Sequence, residues 1–378
     1  MATILIYGAT GYTGRIACEY AAQNGVKFIL AGRTKSKVED LAASLNVPSE
    51  VFDVSDHRKV DLALKSVRVL LNCAGPFQHT AQPLIEACIR NGTHYLDTAA
   101  ELDSYKLAEK LDEDAKAAGV ILLPGCGGSA AMLGCLSAYA LERISNPLRI
   151  DLALHVVGSM SRGSVISAAE NLTVECLQRL DGELVAQDPT NTQEFDFDNG
   201  QGKVTCSSIT FPDLITVWKS TKIGNIGTFF RMTGDAFPTG GLAQLPDGPT
   251  PEQRASTPYQ SDLITVWKST KIGNIGTFFR MTGDAFPTGD LAQLPDGPTP
   301  EQRASTPYQA AVTVTSKDGS VVRAVLHTLN GYTFTPWASV EAAKKVAAGV
   351  TQAGFQTTAG LFGCDFVRTI PGSVIKDL

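Results

Sequence analysis

Six residues into the chain the apolar run Ile4-Leu5-Ile6 gives way to Tyr7-Gly8-Ala9-Thr10-Gly11-Tyr12-Thr13-Gly14-Arg15. Each glycine raises the entropy lost on folding, so three at intervals of three mark a turn that cannot tolerate side-chain bulk. An apolar strand, a bare turn and a helix starting near Thr13 form a cradle for an anion. The helix N-terminus directs unsatisfied N–H groups and the positive end of its dipole at the ligand. Gly8 permits the tight turn, Gly11 admits a diphosphate to the backbone, and Gly14 seats the helix close to the sheet. The spacing G-x-x-G-x-x-G varies the G-x-G-x-x-G device, and its place between strand and helix gives the match its weight.

The next hundred residues continue the alternation that such a start requires. Strands are expected at Thr3–Ile6, Phe28–Ala31, Glu50–Phe52, Val67–Asn72, His94–Leu96 and Val120–Leu123. Helices are expected at Thr13–Asn24, Ser36–Leu45, Pro83–Asn91 and Leu102–Leu111. Apolar strands separated by helices indicate a doubly wound parallel sheet, an α/β fold of the Rossmann type. After about Ile150 the texture changes to alternating strands, as in DLALHVVGS and AVTVTS, which read as half-buried strands of an antiparallel sheet. The expected division is a dinucleotide-binding domain over 1–125 and a mixed α/β substrate or dimerisation domain over 126–334. The segment 335–378, with an alanine-rich helix at Ser339–Gly349, is expected to pack back on the first domain.

The second expected strand ends in Ala31-Gly32-Arg33-Thr34-Lys35, with Lys37 beyond and no acid until Glu39. A site for NAD places a carboxylate there for the ribose 2′-hydroxyl, whereas a guanidinium and a hydroxyl suit a 2′-phosphate. NADP(H) is therefore the expected cofactor, held by Gly8, Thr10, Gly11, Tyr12, Thr13, Gly14, Arg33, Thr34 and Lys37. Asp53, at the end of the third strand, is placed for the adenine side. Cys73, Ala74, Gly75 and Pro76, at the end of the fourth, lie where the nicotinamide half belongs.

The net charge of −6 carries no basic block, which argues against nucleic acid as a partner. Eight scattered cysteines without a C-x-x-C pair read as reduced thiols rather than a disulfide frame or a zinc site, and no metal is expected. No secretory leader and no apolar stretch long enough to span a membrane is evident, so the expected location is cytoplasmic. The expected partner is a small-molecule substrate, with homodimerisation left open.

No Tyr-x-x-x-Lys, G-x-S-x-G, H-E-x-x-H or G-K-[ST] motif occurs, which removes classical short-chain dehydrogenase, triad hydrolase, zincin and P-loop readings. Hydride transfer to a polarised double bond needs a group that neutralises the developing charge. His79, Asp97 and Glu101 are the candidates, and Cys126 is a further titratable group near them. For Asp97 and Glu101, capping of the following helix is an equal reading.

The stretches YGATGYTGR, LAGR, NCAGPF, ACIRNGTHYLDTAAE and PGCG together resemble the saccharopine dehydrogenase-like oxidoreductases, which include the trans-acting enoyl reductases. RGSVISAAENL, GYTFT and AGVTQAGFQTTAGLFG are similar to the second domain and closing helix of that family. The resemblance implies an NADP-binding Rossmann domain, a mixed α/β substrate domain and reduction of a double bond in a small metabolite. The chain departs from the family pattern at Thr98-Ala99-Ala100-Glu101, where T-G-E is frequent, and at Gly128-Ser129-Ala130-Ala131. The expected function is NADPH-dependent reduction of a C=C bond, or a C=O or C=N bond, in a largely apolar metabolite. A catalytically silent NADP(H)-binding redox sensor is the alternative.

One feature stands outside this pattern. Asp213–Gln260 recurs as Asp262–Gln309 with a single difference, Gly241 against Asp290. Two units cannot build a solenoid. Only one copy can fill a given strand position, so the other is expected to be surplus and partly disordered, with an extra lid or dimerisation arm as the alternative.

Overall fold

The computed structural model describes residues 4–170, 175–234, 294–349 and 352–378. The first strand, β1 (Ile4–Tyr7), is buried along its whole length. It pairs in parallel with β2 (Phe28–Gly32) on one side and β4 (Val69–Asn72) on the other. β3 (Ser49–Val51) extends the sheet beyond β2, while β5 (His94–Asp97) and β6 (Ile121–Leu123) extend it beyond β4. A short late strand, β15 (Gly354–Phe355), completes the seven-stranded parallel order β15-β6-β5-β4-β1-β2-β3. The strand order reverses between β1 and β4, and the crevice that this reversal opens is where a doubly wound sheet binds its ligand.

Helix α1 (Tyr12–Gln23) turns Gly14, Ala17, Cys18 and Ala21 inward, and their small side chains let it lie close to the sheet. α2 (Lys35–Leu45), α3 (His57–Leu64), α4 (Phe77–Asn91), α5 (Leu102–Lys110) and α6 (Asp112–Ala117) complete the crossovers. Of these, α4 begins six residues before the expected Pro83. Proline lacks the N–H that an interior helical position donates, which makes Pro83 look like a start. In the folded chain it lies inside α4, whose cap is Pro76.

After the apolar helix α7 (Ser129–Leu141) the chain enters β7 (Pro147–Val157), the centre of a second sheet. The main path of that sheet is β10 (Thr192–Asp196), β11 (Lys203–Ser208), β12 (Asn225–Thr233), β7, β13 (Tyr308–Ser316), β14 (Val321–Thr328) and β16 (Val374–Asp377). β8 (Leu177–Leu180) and β9 (Glu183–Ala186) form a side hairpin attached to β12. The sheet is mixed: β7 runs parallel to β12 and antiparallel to β13. β7 is also buried on both faces from Ile150 to Val156, where a half-buried strand was expected. One face packs with α7, and Ala153 on the other joins a cluster with Phe195, Phe197 and Phe229.

Short α8 (Arg162–Glu170) follows β7, α9 (Asp213–Thr221) precedes β12, and α10 (Pro300–Ser305) precedes β13. α11 (Gly331–Ala347) is longer than the expected Ser339–Gly349, because Asn330 accepts the Tyr332 N–H and starts it eight residues earlier. α11 returns to the first domain, where Trp337 stacks on Tyr20 at 4.9 Å and Glu341 accepts the Tyr20 hydroxyl at 3.0 Å. α12 (Thr358–Phe362) and a 3-10 turn (Cys364–Thr369) follow β15. The C-terminal segment is thus shared: β15 joins the first sheet and β16 the second.

The head of the first repeat supplies α9 and β12, and the tail of the second supplies α10 and the start of β13. The expectation that the surplus copy is partly disordered falls outside the described residues.

Candidate cofactor and substrate cleft

The glycine turn sits between β1 and α1 and faces the loop after β4. Gly8 has φ +76°, and a Cβ there would lie 2.7 Å from the Ala74 nitrogen and 2.8 Å from the Ala74 Cβ. The positive φ and the close approach both require glycine. A Cβ on Gly14 would collide with the Gly8 carbonyl oxygen, so the helix could not seat. At Gly11, by contrast, a Cβ would meet only the Gly8 oxygen, at 3.3 Å. Gly11 is the N-cap of α1 without a side-chain cap, and the first helical turn carries no acid. This end of the helix therefore keeps its affinity for an anion.

These residues open into a cleft of about 1800 Å³ between the two sheets. Gly8, Thr10, Gly11, Tyr12, Thr13, Arg33, Thr34, Lys37, Asp53, Cys73, Ala74, Gly75 and Pro76 line it, whereas Gly14 lies behind the turn. Arg33 and Lys37 are exposed at one rim. Beside them, Asp53 accepts the Ser55 N–H at 3.0 Å and its hydroxyl at 2.7 Å. Those two bonds, with the Arg33 charge adding to them, hold its carboxyl below the usual carboxylate range.

At the end of β4, Asn72 is fully buried and organises the loop that follows. Its Oδ1 accepts the Ala74 N–H at 3.0 Å, while its Nδ2 reaches the Thr80 hydroxyl at 3.1 Å and the Tyr95 hydroxyl at 3.2 Å. Tyr95 in turn donates to Asp97 at 2.9 Å. Asp97 also accepts the N–H groups of Ala99 at 2.9 Å and Gly125 at 2.7 Å. It is completely buried and does not line the cleft, contrary to the expectation of an acid facing the nicotinamide. Burial pushes its carboxyl up to about 6 against the opposing hydrogen bonds. Its bonds to the Ala99 and Gly125 N–H groups tie the ends of β5 and β6 together. Cys126 is likewise buried behind the cleft, and burial pushes its thiol upward.

His79 and Glu101 do line the cleft. His79 stands exposed in the first turn of α4, with Gln78 at 3.3 Å. Glu101 is the N-cap residue of α5 without making a side-chain cap, and accepts instead the Ala100 N–H at 2.9 Å.

The opposite wall belongs to the second domain. Leu154, Val156, Ile209, Phe211, Phe230 and Met232 give it an apolar surface, with the Phe211 and Phe230 rings edge-to-face at 6.0 Å. Near the glycine turn this wall becomes polar. The Tyr332 hydroxyl accepts the Ser161 N–H at 2.7 Å and donates to Ser164 at 2.9 Å, and its ring meets Tyr12 edge-on at 5.5 Å. Sequence reasoning gave Tyr332, Ser161 and Ser164 no role. Ser164 and Tyr332 sit in RGSVISAAENL and GYTFT, with Ser161 just before the first of these, and only the fold brings those stretches to the glycine turn.

The fold and the cleft define a dinucleotide-binding α/β domain joined to a mixed-sheet domain that walls the same site. Residues 4–123, about a third of the chain, match the family described as the saccharopine dehydrogenase NADP binding domain, which supports NADP(H) as the cofactor. The chain is 31% identical over 151 residues to a trans-acting enoyl reductase of Mycobacterium leprae (strain TN), a match covering 37% of this chain and 35% of that protein. It is 31% identical over 144 residues to a human saccharopine dehydrogenase-like oxidoreductase, covering 33% and 34%, respectively. A lipid droplet localized protein of Caenorhabditis elegans is 26% identical over 138 residues, covering 33% and 32%. The chain thus aligns with about a third of the length of these curated relatives. Across its full length the fold is similar to that of apo saccharopine dehydrogenase (L-Glu forming) from Saccharomyces cerevisiae, at a TM-score of 0.64 and 13% identity. Among the described residues no cluster of His, Cys, Asp and Glu could hold a metal, and no helix is long and apolar enough to cross a membrane.

Proposed function

We propose that the protein is an NADPH-dependent oxidoreductase that reduces a C=C bond, or a C=O or C=N bond, of a largely apolar small metabolite in the cytoplasm. One observation carries this reading: the glycine turn and the apolar face of Leu154, Phe211, Phe230 and Met232 line the same cleft. NADPH supplies the hydride. The glycine turn and the α1 N-terminus hold the diphosphate, and Arg33 with Thr34 and Lys37 select the 2′-phosphate. Asp53 contacts the adenosine half, and the loop Cys73–Pro76, fixed by Asn72, orients the nicotinamide half. The apolar wall binds the substrate and excludes water, which strengthens any polar interaction made with the reacting bond. Of the three candidates from the sequence, Glu101 and His79 line the cleft and can hold the proton delivered to the substrate. The test is loss of reduced-nicotinamide absorbance with a panel of enones, enoyl thioesters and imines. Turnover of at least one class supports the reading, and none despite tight NADPH binding contradicts it.

A redox sensor that binds NADP(H) without turnover is the second reading. The withdrawal of Asp97 into the protein favours it, because that leaves the cleft one fewer acid.

A further inference from the structure

The tail of the second repeat crosses from the second domain to the cofactor turn. Arg162 donates its backbone N–H to the Asp296 carbonyl at 3.1 Å and its guanidinium to the Leu294 carbonyl at 2.9 Å, and it forms an ion pair with the Asp296 carboxylate. Tyr12, in the cofactor turn itself, donates its hydroxyl to the Pro298 carbonyl. Arg303 donates to that hydroxyl at 2.8 Å and to the Pro298 carbonyl at 3.1 Å. Between these anchors Gly297 lies flat on the Tyr12 ring: a Cβ there would come within 2.7 Å of the ring carbons. The Thr299–Gln302 capping box then fixes the turn into α10. Asp296, Arg162 and Tyr12 all line the cleft that holds Gly8, Thr10 and Gly11.

We propose that Leu294–Arg303 is a strap seated on Tyr12 across the cofactor turn, and that it must lift for NADP(H) to exchange; this rests on the reading of the cleft as the cofactor site. Arg162, Tyr12 and Arg303 are its positioning residues. Arg162 also neutralises Asp296, which would otherwise bring a carboxylate beside a diphosphate. The chemistry assigns the strap to cofactor retention rather than to hydride transfer, because its anchors grip the turn and leave the apolar wall untouched.

The experiment is stopped-flow displacement of NADPH from the full-length protein by excess NADP+, with trypsin cleavage after Arg303 as a second readout. Gly297→Val forces the strap off the Tyr12 ring without altering the glycine turn. It should raise the NADPH dissociation rate about tenfold, the loss of one to two net hydrogen bonds, and the association rate with it, because the seated strap must also lift for entry. NADPH should slow cleavage after Arg303 in the parent protein and leave it fast in Gly297→Val. A dissociation rate within about twofold of the parent, in a variant whose strap trypsin shows to be loose, overturns the proposal. So does Gly248→Val, the same change in the first repeat, if it loosens the strap while Gly297→Val does not. A parent protein that binds no NADPH defeats the reading of the cleft itself and is recognised by the absence of any displacement signal.

Discussion

Reversing the charge at Arg33 tests the choice of cofactor. Arg33 stands exposed at the end of β2, with Lys37 nearby on the same rim and the ionised Asp53 beside them. A charge-assisted hydrogen bond to a phosphate contributes about 1.5–3 kcal/mol, and exposure places Arg33 toward the lower figure. Arg33→Glu removes that contribution and puts a carboxylate beside a phosphate dianion. At about 4 Å and a surface-like screening, this repulsion adds roughly 1–2 kcal/mol. Together they predict a loss of about 3 kcal/mol, or about a hundredfold in NADPH affinity. The affinity for NADH, which offers a hydroxyl at the same place, should change by less than about threefold or improve. Lys37 remains in the variant and keeps some NADPH binding. Fluorescence titration with both nucleotides reads the effect. Equal losses for both, or none for either, would refute the argument.

Gly8→Val should abolish nucleotide binding and lower the melting temperature, because its Cβ meets Ala74 at a positive φ; calorimetric unfolding with and without NADPH checks both effects. Glu101→Gln should leave NADPH affinity within about twofold while depressing turnover of any substrate found; unchanged turnover removes Glu101 as proton source. Asp213 is fully buried, and among the described residues neither carboxylate oxygen has a hydrogen-bond partner. Burial raises its pKa from 3.8 to about 8, so the folded state retains a proton that the unfolded state releases. Its contribution to stability is therefore full below pH 3.8 and lost as the pH rises toward about 8. Asp213→Asn should flatten that decline in denaturant midpoints measured across the window, and a slope like that of the parent contradicts the assignment. Deleting residues 235–283 joins the head of the first repeat to the tail of the second as one uninterrupted copy. The shortened protein should fold and bind NADPH with a melting temperature no lower than the parent's; circular dichroism melts read the outcome.

The first domain was legible because its signals are local. β1, the glycine turn and α1 are contiguous, and the arginine that replaces an acid lies at the end of the next strand. Asp97 was misplaced for a reason that sequence cannot supply. An aspartate ending a parallel strand can face the crevice or tie two strand ends together, and the choice depends on the Gly125 N–H arriving from the end of β6. The polar corner of Tyr332, Ser161 and Ser164 was hidden because its residues lie some 170 positions apart and meet only when α8 and α11 converge on Tyr12. β7 was read as half-buried because alternation in DLALHVV marks one buried face, whereas α7 and the Phe195–Phe229 cluster cover both. Near-identical repeats carry no information about which copy fills a position, so the division of α9–β12 from α10–β13 emerged only from the fold.

The central claim is that the bare turn after β1, with the cations after β2, holds NADP(H). Isothermal titration of the full-length protein with NADPH and, separately, NADH tests it most directly. One NADPH per chain, bound more tightly than NADH, is the predicted result. Absence of binding heat for either nucleotide over a range of temperatures would contradict the account at its base.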